Sequence, residues 1–177
     1  MVHEEIILKI GIIGAGYVGL TTGICLASLK HKISIFDMDG QKLEKIQDEK
    51  LPFYEKGLQE MLEKVISSGD LITRDSLNDL VNETDGCFIC VGTPTKDNSI
   101  DLTQIINSVE SVTEAIKNNS KKNYKIIIRS TITPNTSRKI ILPLLKKQLS
   151  QLDFGLAVVP EFLREGNALD DFMNPDK

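Results

Sequence analysis

The chain has 177 residues, 41% hydrophobic and 26% charged, with a formal net charge of −4. This length suits one domain with a full core, and the composition is that of an ordinary globular protein. The acidic balance excludes a general electrostatic pull towards nucleic acid or an anionic membrane, and no apolar run is long enough to span a bilayer.

Residues 8–13 form a short apolar run that stops at Gly14, which predicts a buried strand. A helix is predicted over 17–29, opened by glycine. Residues 32–36 (Lys-Ile-Ser-Ile-Phe) predict a second strand, ended by Asp37, and a helix follows over about 41–47. A loop over 51–57 leads into another helix that reaches Ser67. Residues 71–73 are a brief strand, and Asp75 or Ser76 can cap a short helix ending near Val81. A strand over 87–91, a helix over 102–117 and an isoleucine-rich strand over 125–128 come next. Pro134 is placed at the start of a helix running to about Leu149, with a kink expected at Pro143. A last strand covers 155–159. Residues 160–177, rich in Glu, Asp, Asn and Gly, show no period and read as a functional loop. Strands alternating with helices predict an α/β chain: a Rossmann-type, doubly wound parallel sheet with helices on both faces.

The sharpest local motif is Gly14-Ala15-Gly16-Tyr17-Val18-Gly19. A GxGxxG string alone is weak, but this one follows a predicted strand and opens a predicted helix. The first glycine permits the tight turn, the second lets backbone approach a pyrophosphate, and the third lets helix and strand pack closely. Free amides at the helix start then attract phosphate. Asp37 ends the second strand about 20 residues on, where a carboxylate accepts hydrogen bonds from a ribose. It would repel the extra phosphate of NADP, so the expected cofactor is NAD. The alternative is a purely structural turn.

Other constellations are weaker. Cys87 and Cys90 have Cys-x-x-Cys spacing, but positions three apart on a strand face opposite sides. With no second pair and only His3 and His31 in the chain, no metal site is expected, and buried free thiols are the reading. Cys25 is placed in the core. Three cysteines without framework spacing, and an N-terminus whose Glu4, Glu5 and Lys9 do not fit a signal peptide, predict a cytoplasmic protein. His31 sits at a helix end, where a cation suits the dipole. Lys121 and Lys122 read as a solvated turn.

Two further segments carry a resemblance: Arg129-Ser130-Thr131-Ile132-Thr133-Pro134, and Pro160-Glu161-Phe162-Leu163-Arg164-Glu165-Gly166-Asn167-Ala168 followed by Asn174-Pro175-Asp176. Together with the glycine turn, Tyr54-Glu55-Lys56-Gly57-Leu58 and Gly92-Thr93-Pro94-Thr95, they resemble the UDP-glucose/GDP-mannose dehydrogenase family over nearly the whole chain. The resemblance implies NAD-dependent oxidation of a nucleotide sugar at C6, from alcohol to carboxylate, through a cysteine-bound intermediate. The string from Asp171 to Asp176 is more like the UDP-glucose branch than the GDP-mannose branch, and the UDP-N-acetylmannosamine branch fits less well. The family's catalytic cysteine and its lysine, asparagine and aspartate have no match here. Residues 1–177 are therefore expected to be the NAD-binding domain, without the central helix and the C-terminal substrate domain, and inactive alone. The full enzyme is expected to be a homodimer. A stand-alone NAD-binding module is the other reading.

The resemblance also implies roles. Gly14, Gly16, Tyr17, Val18 and Gly19 match the pyrophosphate turn, Asp37 the ribose ligand and Lys42 a basic position at the cofactor. Thr93 matches the loop over the cofactor. Thr131 and Glu161 match polar residues near the catalytic water, with Thr131 also at the cofactor. Phe162, Leu163, Arg164 and Glu165 match, with Glu161, the segment lining the sugar nucleotide, and Glu165 also approaches the nicotinamide. From the residues alone, Thr131 reads rather as a helix N-cap and Glu161 as a surface loop acid, because strand ends routinely carry caps.

Overall fold

The computed structural model describes residues 6–96 and 98–175; His3, Glu4, Glu5 and Asp176 lie outside the described residues. In chain order the elements are β1 (Lys9–Ile13), α1 (Tyr17–Ser28), β2 (Lys32–Phe36), α2 (Gly40–Gln47), α3 (Leu58–Ser67), β3 (Leu71–Thr73), α4 (Leu77–Glu83) and β4 (Gly86–Ile89). A small hairpin, β5 (Thr95–Lys96) and β6 (Ser99–Ile100), leads to α5 (Thr103–Asn118) and β7 (Tyr124–Ile128). A π-turn (Ser137–Ile141), α6 (Leu142–Gln148), β8 (Phe154–Val158) and α7 (Ala168–Met173) complete the described residues.

Six strands form one parallel sheet in the order β3-β2-β1-β4-β7-β8. This is the doubly wound arrangement, in which strand order reverses between β1 and β4 and a crevice opens beyond their carboxyl ends. The register fixes what lines that crevice. Ile13 pairs with Phe36 on one side and Ile89 on the other, so Gly14, Asp37 and Cys90 leave the sheet side by side.

Both faces of the central strands are covered, which explains why they are rich in isoleucine on both sides. One core joins Leu80, Val109, Val112, Ile126 and Leu145 on the α4–α5–α6 side; the other joins Ile12, Leu20, Ile24, Ile35 and Leu62 on the α1–α3 side. Cys87 belongs to the first and Cys90 to the second, on opposite sides of the sheet as the strand period requires. All three thiols are free and buried. No helix of the described residues is long and apolar enough to cross a membrane.

Several boundaries differ from the sequence reading. β4 stops at Ile89 rather than Val91, because the amides of Arg129 and Ser130 both turn onto the Ile89 carbonyl (3.0 and 3.1 Å). α4 runs on to Glu83. Pro134 does not open a helix: it lies in a turn with Asn135 at φ +72°, and helical structure starts after it. The bend expected at Pro143 is met by the π-turn, in which the Leu142 amide reaches back to the Ser137 carbonyl just before the residue that has no N–H. The β5–β6 hairpin and α7 were not foreseen; each is too short to show a period. At the end of α1, Nδ1 of His31 accepts the Leu8 amide (3.4 Å). Lys121 donates to the Thr84 carbonyl (3.0 Å) instead of lying loose in solvent.

Candidate functional site

The three motif glycines have different physical reasons. Gly14 has φ +99°, and a Cβ there would meet the Cys90 carbonyl oxygen at 2.8 Å. At Gly19 a Cβ would lie 1.9 Å from the Gly14 carbonyl oxygen, so helix and turn are in backbone contact. At Gly16 a Cβ would meet nothing within 4 Å. Two glycines are thus needed to build the turn, and the third keeps empty the space in front of α1. Gly16 caps α1 with extended backbone and no side-chain bond, which leaves the first helical amides to a ligand.

Asp37 is tied into the turn. Its Oδ2 accepts the Ala15 amide (2.7 Å) and lies 3.4 Å from the Lys42 ammonium, while Oδ1 accepts the Asp39 amide (2.9 Å). A cavity of about 470 Å³ opens beside these groups, with Gly14, Gly16, Asp37 and Lys42 on one wall and Gln104, Asn107, Ser108 and Ser111 of α5 on the other. Phe36, Leu77 and Val91 give it apolar surface. Paired carboxylate, open amides and an apolar slot can take a ribose, a diphosphate and a flat ring. A hollow of about 640 Å³ on the outer flank of α5, lined by Glu110, Glu114 and Lys117 among others, has neither the glycine turn nor an apolar wall and is set aside.

Residues 160–174 fold back to the same edge. Ala168 is buried, Leu169 packs onto the α1-side core, and α7 lies against α1. The carboxylate of Asp171 accepts the Arg164 amide (2.8 Å) and its guanidinium, plus the Asn167 amide nitrogen (2.9 Å). The Arg164 guanidinium holds the Asp171 carboxyl well below the usual carboxylate range, with the Arg164 and Asn167 amides adding to it. A second cavity, about 560 Å³, is lined by residues 160–164 together with Arg129, Asp171, Phe172, Asn174 and Pro175.

Arg129 is 9% exposed; its Nε donates to Thr22 of α1 (3.0 Å), and its guanidinium lies over the Phe172 ring (5.7 Å). Among the described residues no carboxylate lies within ion-pair distance of it. Both cavities lie at the carboxyl edge of the sheet: Cys90, which lines the first, follows β4, and Arg129, which lines the second, follows β7, the strand paired with β4.

The residues singled out from sequence are distributed unevenly. Gly14, Gly16, Asp37 and Lys42 line the first cavity; Glu161, Phe162, Leu163 and Arg164 line the second. Tyr17, Val18 and Gly19 begin α1 beneath the first. Glu161 Oε2 accepts the Leu163 amide (2.7 Å), which shapes the loop's first turn, and Phe162 is 86% exposed. Glu165 is exposed, close enough to Tyr17 for its charge to help keep that phenol protonated. Thr93 is half-buried at the mouth of the hairpin. Thr131 is exposed, just past β7, and lines neither cavity. It is not a helix N-cap: helical structure starts only after the turn at Pro134 and Asn135.

Sequence reasoning missed three contributors. The α5 wall looks like an ordinary solvated helix face. Ser130 donates to the Val91 carbonyl (2.7 Å) and fixes the loop after β4. Glu55 is a buried carboxylate whose partners lie far away in the chain; only the Tyr54–Leu58 string pointed to it.

Residues 8–177 match the NAD-binding domain model of the UDP-glucose/GDP-mannose dehydrogenase family. The UDP-glucose 6-dehydrogenase of Rickettsia felis is 36% identical over 96% of this chain and 37% of its own length. The GDP-mannose 6-dehydrogenase of Pseudomonas syringae is 35% identical over 95% and 39%. Among solved structures, a ternary complex of GDP-mannose dehydrogenase from Pseudomonas aeruginosa superposes with TM-score 0.90 at 33% identity, covering 95% of this chain and 39% of that one. A UDP-glucose dehydrogenase from Pyrobaculum islandicum gives TM-score 0.93 at 30% identity, covering 99% and 41%. The chain therefore spans under two fifths of these curated relatives.

Proposed function

The chain belongs to the UDP-glucose/GDP-mannose dehydrogenase family, as its NAD-binding domain, and on that premise we propose that the full protein oxidises a nucleotide sugar at C6, with UDP-glucose the leading substrate. The observation that carries this reading is the presence of two cavities at the carboxyl edge of the sheet, one walled by the glycine turn and one by residues 160–164. NAD supplies the hydride acceptor. In the first cavity the α1 amides face the diphosphate and Asp37 and Lys42 meet the adenosine ribose, with Thr93 and Glu165 nearer the nicotinamide end. In the second, the backbone of Phe162, Leu163, Arg164 and Glu165 lies along the sugar nucleotide and Glu161 supplies a polar group beside the reacting carbon; Thr131, just past β7 and outside both cavities, is the further polar group that the family resemblance assigns near the catalytic water. Residues 1–177 are read as the cofactor domain of a longer, homodimeric protein, with the central helix and substrate domain in the remaining length that the relatives have. Buried free thiols fit the cytoplasm.

NADH formation by the full-length protein with UDP-glucose, GDP-mannose and UDP-N-acetylmannosamine tests the substrate. The highest kcat/KM is expected with UDP-glucose; NADH with none of the three would end this reading. GDP-mannose is the second choice, because a GDP-mannose 6-dehydrogenase is 35% identical to this chain, close to the 36% of a UDP-glucose enzyme.

NAD should be preferred over NADP. A 2′-phosphate near Asp37 meets a carboxylate at an effective dielectric of about 20, a repulsion on the order of 2 kcal/mol after solvent screening, or roughly thirtyfold in Kd. Asp37→Ala should narrow that gap and also weaken NAD about tenfold, because the Ala15 and Asp39 amides lose their acceptor. Calorimetric titration with each cofactor measures both; equal affinities in the unmodified chain would remove Asp37 from this role.

A further inference from the structure

Glu55 precedes α3, outside both cavities, and is 2% exposed. Its two oxygens collect three donors from distant parts of the chain. Oε2 accepts the Tyr17 hydroxyl and the Gly166 amide (2.8 Å), and Oε1 accepts the Ala168 amide (3.1 Å). Tyr17 is the first residue of α1, directly after Gly16, and its ring is fixed by Phe53 at 4.9 Å between centroids. Gly166 and Ala168 end the segment that lines the second cavity, with Gly166 at φ +87°. Burial first, then the bond to Glu55, pushes the Tyr17 phenol above its ordinary range, so it remains a donor at neutral pH.

Among the described residues no cation pairs with Glu55 within ion-pair distance. A buried carboxylate is costly unless its acceptors are filled. The three donors fill them, and two of the three belong to the 160–168 segment. One buried carboxyl group is therefore shared between the start of the cofactor helix and the end of the substrate segment.

We propose that Glu55 is a positioning residue that couples the glycine turn to residues 160–168, so that seating NAD at the start of α1 orders the segment that receives the nucleotide sugar. This rests on the reading of that segment given under Proposed function. Fixing Tyr17 fixes the Glu55 carboxylate, and the carboxylate holds the Gly166 and Ala168 amides. By linkage the nucleotide sugar tightens NAD by the same factor that NAD tightens it.

Hydrogen exchange on the full-length protein reads the link directly. Saturating NAD should slow exchange at Gly166 and Ala168 about fivefold or more, within the usual range of site–site coupling. Tyr17→Phe keeps the ring against Phe53 and removes only the donor to Glu55; at saturating NAD the slowing should vanish. Glu55→Gln offers one acceptor oxygen to three donors, and should lose the slowing and raise KM for the nucleotide sugar more than it lowers kcat. If Glu55→Gln does not fold, Tyr17→Phe decides. In parallel, UDP-glucose affinity with and without NAD should differ about fivefold in the wild type and not in Tyr17→Phe. Undiminished slowing in Tyr17→Phe, or no slowing in the wild type, overturns the proposal. Failure of UDP-glucose to bind in any state counts against the substrate reading alone, because the exchange measurement needs no sugar.

Discussion

Gly16→Val is expected to fold normally and to lose NAD. A Cβ at this position meets no protein atom within 4 Å, so the backbone tolerates it. The same open space lies in front of the α1 amides, where a diphosphate must come within hydrogen-bond reach. Valine there displaces the diphosphate and replaces charge-assisted bonds with apolar surface. A loss of at least about 100-fold, near 3 kcal/mol, is expected. Circular dichroism checks the fold and calorimetry the affinity. Gly19→Val should behave in the opposite way: its Cβ would lie 1.9 Å from the Gly14 carbonyl oxygen, and the β1–α1 turn could not close. Normal NAD affinity in Gly16→Val would reduce the motif to a structural turn.

The second large effect is an absence of turnover. The 177-residue chain is expected to bind NAD yet form no NADH from any of the three nucleotide sugars. Burial pushes the thiols of Cys25, Cys87 and Cys90 up to about 12; the charge of Arg129 offsets this in part at Cys25 and Cys90. Thiols held this high stay protonated at pH 8, and the thiolate is the nucleophile. Without a nucleophile and its base the covalent intermediate cannot form, which costs many orders of magnitude in rate. A thiol reagent at pH 8 should accordingly find no fast-reacting cysteine in the folded chain and all three after unfolding. Steady NADH production, or a fast thiol, would mean that the catalytic groups lie within these residues after all.

The parts of the fold legible in the sequence were those specified by contiguous residues. The β1 turn and the end of β2 each announce themselves within a few positions, and parallel register then brings Gly14 and Asp37 together. The α5 wall was not legible, because Gln104, Asn107, Ser108 and Ser111 form a polar stripe like that of any surface helix; only the strand order shows that it faces a cavity. Glu55 was hidden for a related reason. Its partners are 38, 111 and 113 residues away, and nothing local marks a loop glutamate as buried. Thr131 shows the converse case. Its place after a strand suggested a cap, but Pro134 and Asn135 form a turn first and the helix starts too late for it to serve. Residues 160–174 lacked a period because they are held by Asp171, Glu55 and a six-residue helix rather than by a long amphipathic face.

The central claim is that NAD lies across the glycine turn with its adenosine end between Asp37 and α5. Titrating the isotopically labelled chain with NAD and following backbone amide resonances tests it most directly. The largest shifts are expected at Ala15, Gly16, Tyr17, Val18 and Gly19, at Asp37, at Gly92 and along α5 from Gln104 to Ser111. Absent shifts, or shifts confined to the α5–α6 flank around Lys117 and Gln148, would contradict it.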